Sequence, residues 1–198
     1  MTRKEEGLVV RAGITVDGLV RAAAEMADES GLDKVTVSAL ARRFGVKDAS
    51  LYSHVRNLRD LRVRLALLAS GEMNDAIGAA VAGRSGKEAL VAFADAYRDY
   101  ALAHPGRYAA AQQRIEPEEI EDTTVLLRAV ELTYGMLRGY GLQEPDLTDA
   151  GRLLRSAFHG YVHLELGGGF AHSRPVAASW ARSLDALHHV LENWGNDS

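Results

Sequence analysis

A small residue, a glycine and a leucine at fixed intervals constrain this chain more than any other feature. Ala41 is followed after three residues by Gly45, and after five more by Leu51. Two helices cross closely at a short turn only if a small residue sits at the crossing, a glycine allows the reversal and an apolar side chain of the second helix fills the gap. Segment 37–56 therefore predicts a helix-turn-helix. It lies in a stretch, 34–64, with eight basic residues (Lys34, Arg42, Arg43, Lys47, Arg56, Arg59, Arg62, Arg64) against Asp48 and Asp60, on a chain of formal net charge −4. Residues 1–65 carry +3 and residues 66–198 carry −7. Positive charge confined to one segment points to a polyanionic partner for that segment alone. On charge alone, a solvated face of lysines and arginines accounts for it equally.

The whole chain reads as helix. Its 31 alanines and 25 leucines against 16 valines and 4 isoleucines favour helix over sheet. A first helix runs from a Thr15 cap to Gly31, with Val16, Leu19, Val20, Ala23, Met26 and Ala27 on one side. A second follows Thr36 and stops at Gly45, and a third covers about 48–54. Asn57 caps a long fourth helix with the stripe Leu58, Leu61, Leu65, Leu68, and glycines 78, 83 and 86 then predict a domain boundary. Ser85 to Glu88 reads as a capping box opening a helix that ends near His104 and Pro105. Pro117-Glu118-Glu119 predicts the start of another, running to about Gly139 or Gly141. A helix over about 147–166 breaks at Gly167-Gly168-Gly169, and the last begins at Pro175. No internal repeat or extended strand-like alternation occurs.

Several functions are excluded. With no cysteine, disulfide scaffolds, thiolate metal sites and cysteine nucleophiles are impossible. The N-terminus lacks an apolar signal region, and no apolar run approaches the roughly 18 residues of a membrane span. A soluble, cytoplasmic protein with no membrane association is expected. Gly167-Gly168-Gly169 follows a helix and lacks the phosphate-binding glycine spacing, and no Gly-x-Ser-x-Gly or His-Glu-x-x-His motif is present. No enzyme and no cofactor are expected. His159 and His163 stand one helical turn apart, but spacing fixes no third ligand, so no metal is assigned.

With Leu51 and Val55 turned inward, steps of 100° per residue place Ala49, Ser50, Tyr52 and Ser53 outward, flanked by Lys47 and His54. Small outward residues let a helix lie deep in a major groove, where serine hydroxyls reach base edges and Ala49 meets a thymine methyl. Thr36 and Ser38 combine hydroxyls with free backbone N–H groups at a helix start and suit phosphate, as do Lys47, Tyr52 and His54. The alternatives are a half-buried core role for Tyr52 and a plain surface role for His54. Asp48, in the first turn, suits the helix dipole or accepts from a cytosine amine, whereas beside a phosphate it repels.

The run Val35 to Val46 (Val-Thr-Val-Ser-Ala-Leu-Ala-Arg-Arg-Phe-Gly-Val), followed by Ser50-Leu51-Tyr52-Ser53-His54-Val55-Arg56-Asn57, resembles the DNA-binding domain of tetracycline-repressor-like (TetR family) transcriptional regulators. Arg11-Ala12-Gly13-Ile14-Thr15 and Leu58-Arg59-Asp60-Leu61 extend the likeness over about 11–70. By that resemblance Thr36, Ser38, Lys47, Ala49, Ser50, Tyr52, Ser53 and His54 occupy DNA-contacting positions. Phe158-His159-Gly160-Tyr161-Val162-His163-Leu164-Glu165, with His104-Pro105 and Tyr108, resembles the family's C-terminal domain. This implies a homodimer in which the last two long helices of each subunit form a four-helix bundle.

The terminal-helix stripe Trp180, Leu184, Leu187 and Leu191 supports a dimer seam, with packing inside one chain as the alternative. Phe93, Tyr97, Tyr100, Tyr108, Tyr134, Phe158 and His159 suggest an apolar pocket for a flat or amphipathic effector, although each also serves as core. The expected fold is all-α, with an N-terminal three-helix helix-turn-helix DNA-binding head over 11–70 and a C-terminal helical ligand-binding and dimerisation bundle over 71–198. The expected function is a ligand-responsive transcriptional regulator, a repressor, that binds palindromic double-stranded operator DNA as a homodimer and is released by an unknown small molecule. The alternatives are a helical protein-binding adaptor or a small-molecule-binding enzyme without DNA binding.

Overall fold

Hydroxyl caps and glycine stops set the limits of the first two helices. In α1 (Val16–Ser30) the Thr15 hydroxyl accepts from the Gly18 N–H at 3.1 Å, and Gly31 closes the helix at a φ of 94°. In α2 (Val37–Phe44) the Thr36 hydroxyl accepts from the Ala39 N–H at 3.1 Å, and Gly45 ends it in the left-handed region at a φ of 66°. Both ends follow the sequence pattern. The computed structural model describes residues 14–120 and 122–195. Arg11, Ala12 and Gly13 of the upstream likeness, and the outer limits of the two expected domains, lie outside the described residues.

The helix after Gly45 is shorter than its spacing predicts. α3 comprises Asp48–Leu51, and the chain then turns through 52–54, where the His54 and Val55 amides both donate to the Leu51 carbonyl. The Asn57 side chain accepts from the Asp60 N–H at 2.9 Å at the start of α4 (Leu58–Val81). α4 passes through Gly71 and Gly78 without a break. Gly78 lies inside this helix and does not end it, and the division between units falls earlier, after Ala69.

The remaining helices are α5 (Gly86–Ala103), α6 (Pro105–Ala111), α7 (Thr124–Arg138), α8 (Asp146–Leu166) and α9 (Val176–Glu192). Ser85 makes no side-chain cap bond, and Gly86 takes a φ of 53°, so the expected capping box does not form. Pro117–Glu119 forms one 3-10 turn, and no long helix starts there. Glu119 folds back to accept from the Glu116 N–H at 3.0 Å and is held by Arg59. The described residues contain no strand.

Two compact units result, with the division inside α4 after Ala69. The first holds described residues 14–69 and, joined to them, 105–120. Its core gathers Leu19, Leu40, Ala41, Leu51, Val55, Leu61 and Leu65. Residues 105–120 stand beyond the linear limit of 70 that the sequence suggests, yet several contacts fasten them to this unit. A Cβ on Gly106 would come within 2.0 Å of the Ala27 carbonyl carbon. The Arg107 N–H donates to Asp28 at 2.9 Å, and its guanidinium lies 3.0 Å from the same carboxylate. Arg59 grips Glu119 through two bonds of 2.7 and 2.6 Å and donates to the Arg114 carbonyl at 2.7 Å. Those bonds, first from Arg59 and next from the Glu116 amide, hold the Glu119 carboxyl down at about 2.

The second unit holds 70–104 and 122–195, with α5 packed against α7, α8 and α9. Its core includes Leu90, Phe93, Ala94, Leu137, Leu154, Phe158 and Val162. Arg98 and Glu165 pair at 2.5 Å while largely buried, and the guanidinium stands 5.8 Å from the Trp180 ring centre. The Trp180 indole N–H donates to Asp95 at 2.7 Å. The terminal-helix stripe packs inside the chain, the alternative its spacing left open. Trp180, Leu184 and Leu191 are only 4, 2 and 1% exposed within the single chain, and Leu187 is half-buried. A stripe at helical spacing reads the same whether its own chain or a partner covers it, and here the chain's own helices do.

Gly106→Ala is expected to lower the unfolding free energy by about 3 kcal/mol, because it forces backbone against backbone; urea denaturation measures it, and an unchanged midpoint would contradict this packing. Glu119 is depressed from its ordinary 4.5 to about 2, so its contribution to stability is present above pH 4.5 and is lost as pH falls toward 2. In an acid titration followed by circular dichroism, Glu119→Gln is expected to flatten that part of the curve relative to the parent.

Candidate nucleic-acid interface

One buried anchor presents the outward residues of α3. Leu51 is 1% exposed, and Val55 is buried beside the same core. Around them Lys47, Asp48, Ala49, Ser50, Tyr52 and Ser53 are all exposed, with Tyr52 at 54%, and His54 is half-buried. The helical-wheel assignment of faces agrees with this arrangement, and Tyr52 stands out from the core.

The hydroxyls divide by what they can still offer. Thr36 uses its oxygen to accept from Ala39, so its O–H proton remains free to donate. Ser53 donates to the Ser50 carbonyl at 2.7 Å, leaving oxygen lone pairs as its outward capacity. Ser38 donates to the Asp48 carboxylate. A hydroxyl has one proton, and phosphate only accepts, so in this arrangement Ser38 cannot also donate to a phosphate. A phosphate contact by Ser38 in this arrangement falls to its backbone N–H at the start of α2. The bond from Ser38 to Asp48 ties the start of α2 to the start of α3 across the turn, a partnership that spacing does not reveal.

The basic residues also divide. Arg43 pairs with Glu25 and Glu29 at 2.7 and 2.9 Å, Arg59 with Glu119, and Arg64 with Asp60 at 3.1 Å. Glu25 and Glu29 are one turn apart on α1, and that spacing was the available signal for a clamp on Arg43. Lys34, Arg42 and Lys47 have no carboxylate partner among the described residues. Arg56 is 71% exposed in its side chain beside His54, 3.6 Å from Asp60. Sequence reasoning counted Arg56 only as charge. Asp60 is drawn upward by burial, but the Arg56 amide and the Arg64 guanidinium outweigh this and hold its carboxyl below the ordinary range.

Six of the seven expected pocket residues fall in the second unit, and three of them, Phe93, Tyr97 and Phe158, meet there. The Phe93 and Tyr97 rings stand 6.2 and 5.9 Å from Phe158, which lies 5.7 Å from Trp180. Tyr161 joins through Trp180 at 4.9 Å and Phe170 at 4.8 Å, neither anticipated as pocket residues. Tyr100 donates to Glu72 at 3.0 Å, and the Tyr134 hydroxyl bonds Thr148 at 3.0 Å. His159 stacks on His163 at 5.9 Å, and burial holds it below the ordinary histidine range. Tyr108 does not join them, since it is buried in the first unit. An open groove of about 610 Å³ runs along α5 between Ala80 and Asp99, and none of the expected pocket residues lines it. Among the described residues, no group of three or more possible ligands is placed to hold a metal ion, and no helix is long and apolar enough to cross a membrane.

Residues 19–64 match the model of bacterial regulatory proteins of the tetR family, and residues 90–187 match that of a tetracyclin repressor-like C-terminal domain. The helix-turn-helix-type transcriptional regulator YobS of Bacillus subtilis (strain 168) is 30% identical over 174 residues, which span 88% of this chain and 91% of the relative. Among solved structures, a protein from Rhodococcus sp. RHA1 superposes with a TM-score of 0.74 at 22% identity, covering 92% of this chain and 97% of the other. BioQ bound to its natural double-stranded DNA operator does so with a TM-score of 0.67 at 20% identity, covering 90% and 98%. The all-α fold is thus shared with known proteins, and the matching families are regulators, not enzymes. The chain belongs to the tetR family of helix-turn-helix transcriptional regulators.

Proposed function

We propose that this regulator is a ligand-responsive repressor that binds a palindromic operator as a homodimer and is released by a small molecule. The observation that carries the reading is the outward surface of α3. Lys47, Ala49, Ser50, Tyr52 and Ser53 stand exposed on α3 and the residues that flank it, around the buried Leu51. Small groups at the centre suit close approach to base edges, while Lys47, Tyr52 and His54 at the margins suit phosphate, together with the free hydroxyl proton of Thr36. That BioQ has been solved on its operator supports the same use here. A protein acting on operator DNA works in the cytoplasm.

Two-fold symmetry follows from the target, because a palindrome is read by paired copies. With Trp180, Leu184 and Leu191 occupied internally, the seam moves to the outer faces of α8 and α9. Leu153 and Leu164 are exposed there, with Ala157 and Gly160 between them at helical spacing. Val190 is exposed on α9, one turn beyond Ala186. Small residues between leucines let two helices approach closely. The effector belongs with the aromatic cluster of Phe93, Tyr97 and Phe158, and an amphipathic, largely apolar molecule suits it. Repression ends when the ligand favours a conformation in which the two heads no longer match adjacent half-sites.

Selecting duplexes from a random library with the full chain tests the reading. Two-fold symmetric half-sites about one helical turn apart are expected, with binding that falls steeply as salt rises; a chain that stays monomeric and selects nothing at low salt would sink it. Tyr52→Ala is expected to weaken binding to every sequence alike. Ser53→Ala is expected to change preference at one base pair by roughly 1–3 kcal/mol with little change elsewhere. Leu164→Glu is expected to yield monomers by light scattering with the helical content retained.

A further inference from the structure

Asp48 is the outstanding anomaly of the interface. It is an exposed carboxylate at the front of α3, between Lys47 and Ala49, on the surface meant to meet a polyanion. The other acid of this segment, Asp60, is treated differently, since its side chain is only 8% exposed and is paired with Arg56 and Arg64. Asp48 has no such neutralisation among the described residues. Its bonded partner is the neutral hydroxyl of Ser38, which fixes the carboxylate in place without cancelling its charge.

We propose that Asp48 is a specificity-determining residue that accepts a hydrogen bond from the exocyclic amine of a cytosine in each half-site, with Ser38 as its positioning residue. The inference rests on the DNA-binding reading above. A carboxylate only accepts, and phosphates only accept, so the backbone offers Asp48 no bond and repels it. The major-groove edges offer two donors, the N4 amine of cytosine and the N6 amine of adenine. Adenine's amine lies between two acceptors, its own N7 and the O4 of the paired thymine, whereas cytosine's amine has an acceptor on one side only, the O6 of the paired guanine, so a carboxylate meets less repulsion there. Ser38 consumes part of one oxygen's capacity, and the remaining lone pairs are left for the base. Negative charge here also rejects guanine and thymine, whose own major-groove edges present acceptors and no donor, so the residue discriminates by repulsion as well as by attraction.

The test uses the full-length dimer and duplexes selected from a random library, repeated with Asp48→Asn, Asp48→Ala, Ser38→Ala and Ser38→Thr. The parent is expected to select cytosine at one position per half-site, with a loss of about tenfold when that pair is changed. Asp48→Asn is expected to move the preference to adenine, because its amide both donates and accepts. Asp48→Ala is expected to leave the position within about twofold for all bases. Ser38→Ala is expected to blunt the cytosine preference several-fold, and Ser38→Thr, which keeps the hydroxyl, to restore it, with thermal unfolding unchanged throughout. If the Asp48 variants keep the parent's cytosine, or gain affinity equally on all sequences, Asp48 is only a charge and the proposal is overturned while DNA binding stands. If the parent selects no sequence, the DNA reading itself fails, and this assignment fails with it.

Discussion

The burial of Leu51 is the interaction on which the interface depends. α3 has four residues, far too few for an isolated helix to persist in water. Its shape therefore comes from its anchor, a leucine 1% exposed in the cluster that also holds Leu40, Ala41 and Leu61. With Leu51 inside, helical geometry turns Asp48, Ala49 and Ser50 outward, and the turn that follows leaves Tyr52 and Ser53 exposed. Gly45 supplies the left-handed turn that lets α3 reach that core, and Ala41 keeps the crossing close.

Around this anchor the head also carries polar clamps. Glu25 and Glu29 hold Arg43, Asp60 holds Arg64, and Glu119 holds Arg59. Each clamp withdraws a cation from the field the segment would otherwise present. Lys34, Arg42 and Lys47 are left without a carboxylate partner among the described residues, while the exposed Arg56 shares Asp60 with Arg64. Exposed ion pairs contribute little stability singly, and their consequence here is geometric, since they set which guanidinium groups remain free.

Many local features were legible. The Thr15 and Thr36 caps, the Gly31 and Gly45 stops, the Asn57 cap and the outward set around Leu51 depend on neighbours within a few positions, whereas the Ser85 capping box, the helix start at Pro117 and the length of α3, equally local, came out otherwise. Long-range assignments were not legible. The Trp180 stripe has the periodicity of any buried helix face, and its use as internal core depended on Phe158, Tyr161 and Asp95 arriving beside it. Residues 105–120 carry no pattern that distinguishes one unit from the other, and their place was decided by the Gly106 contact with Ala27 and the Asp28 and Arg59 clamps.

The amino-acid sequence by itself determined the all-α class, the helix-turn-helix and the identity of the outward residues on α3, because these follow from period, capping and turn chemistry over short separations. Tertiary structure alone decided which hydroxyls still hold a free proton, which arginines are neutralised, and which apolar stripe is covered within the chain. Those properties belong to pairs of groups far apart along the backbone, and no spacing rule connects Ser38 to Asp48 or Trp180 to Asp95 before the chain has folded.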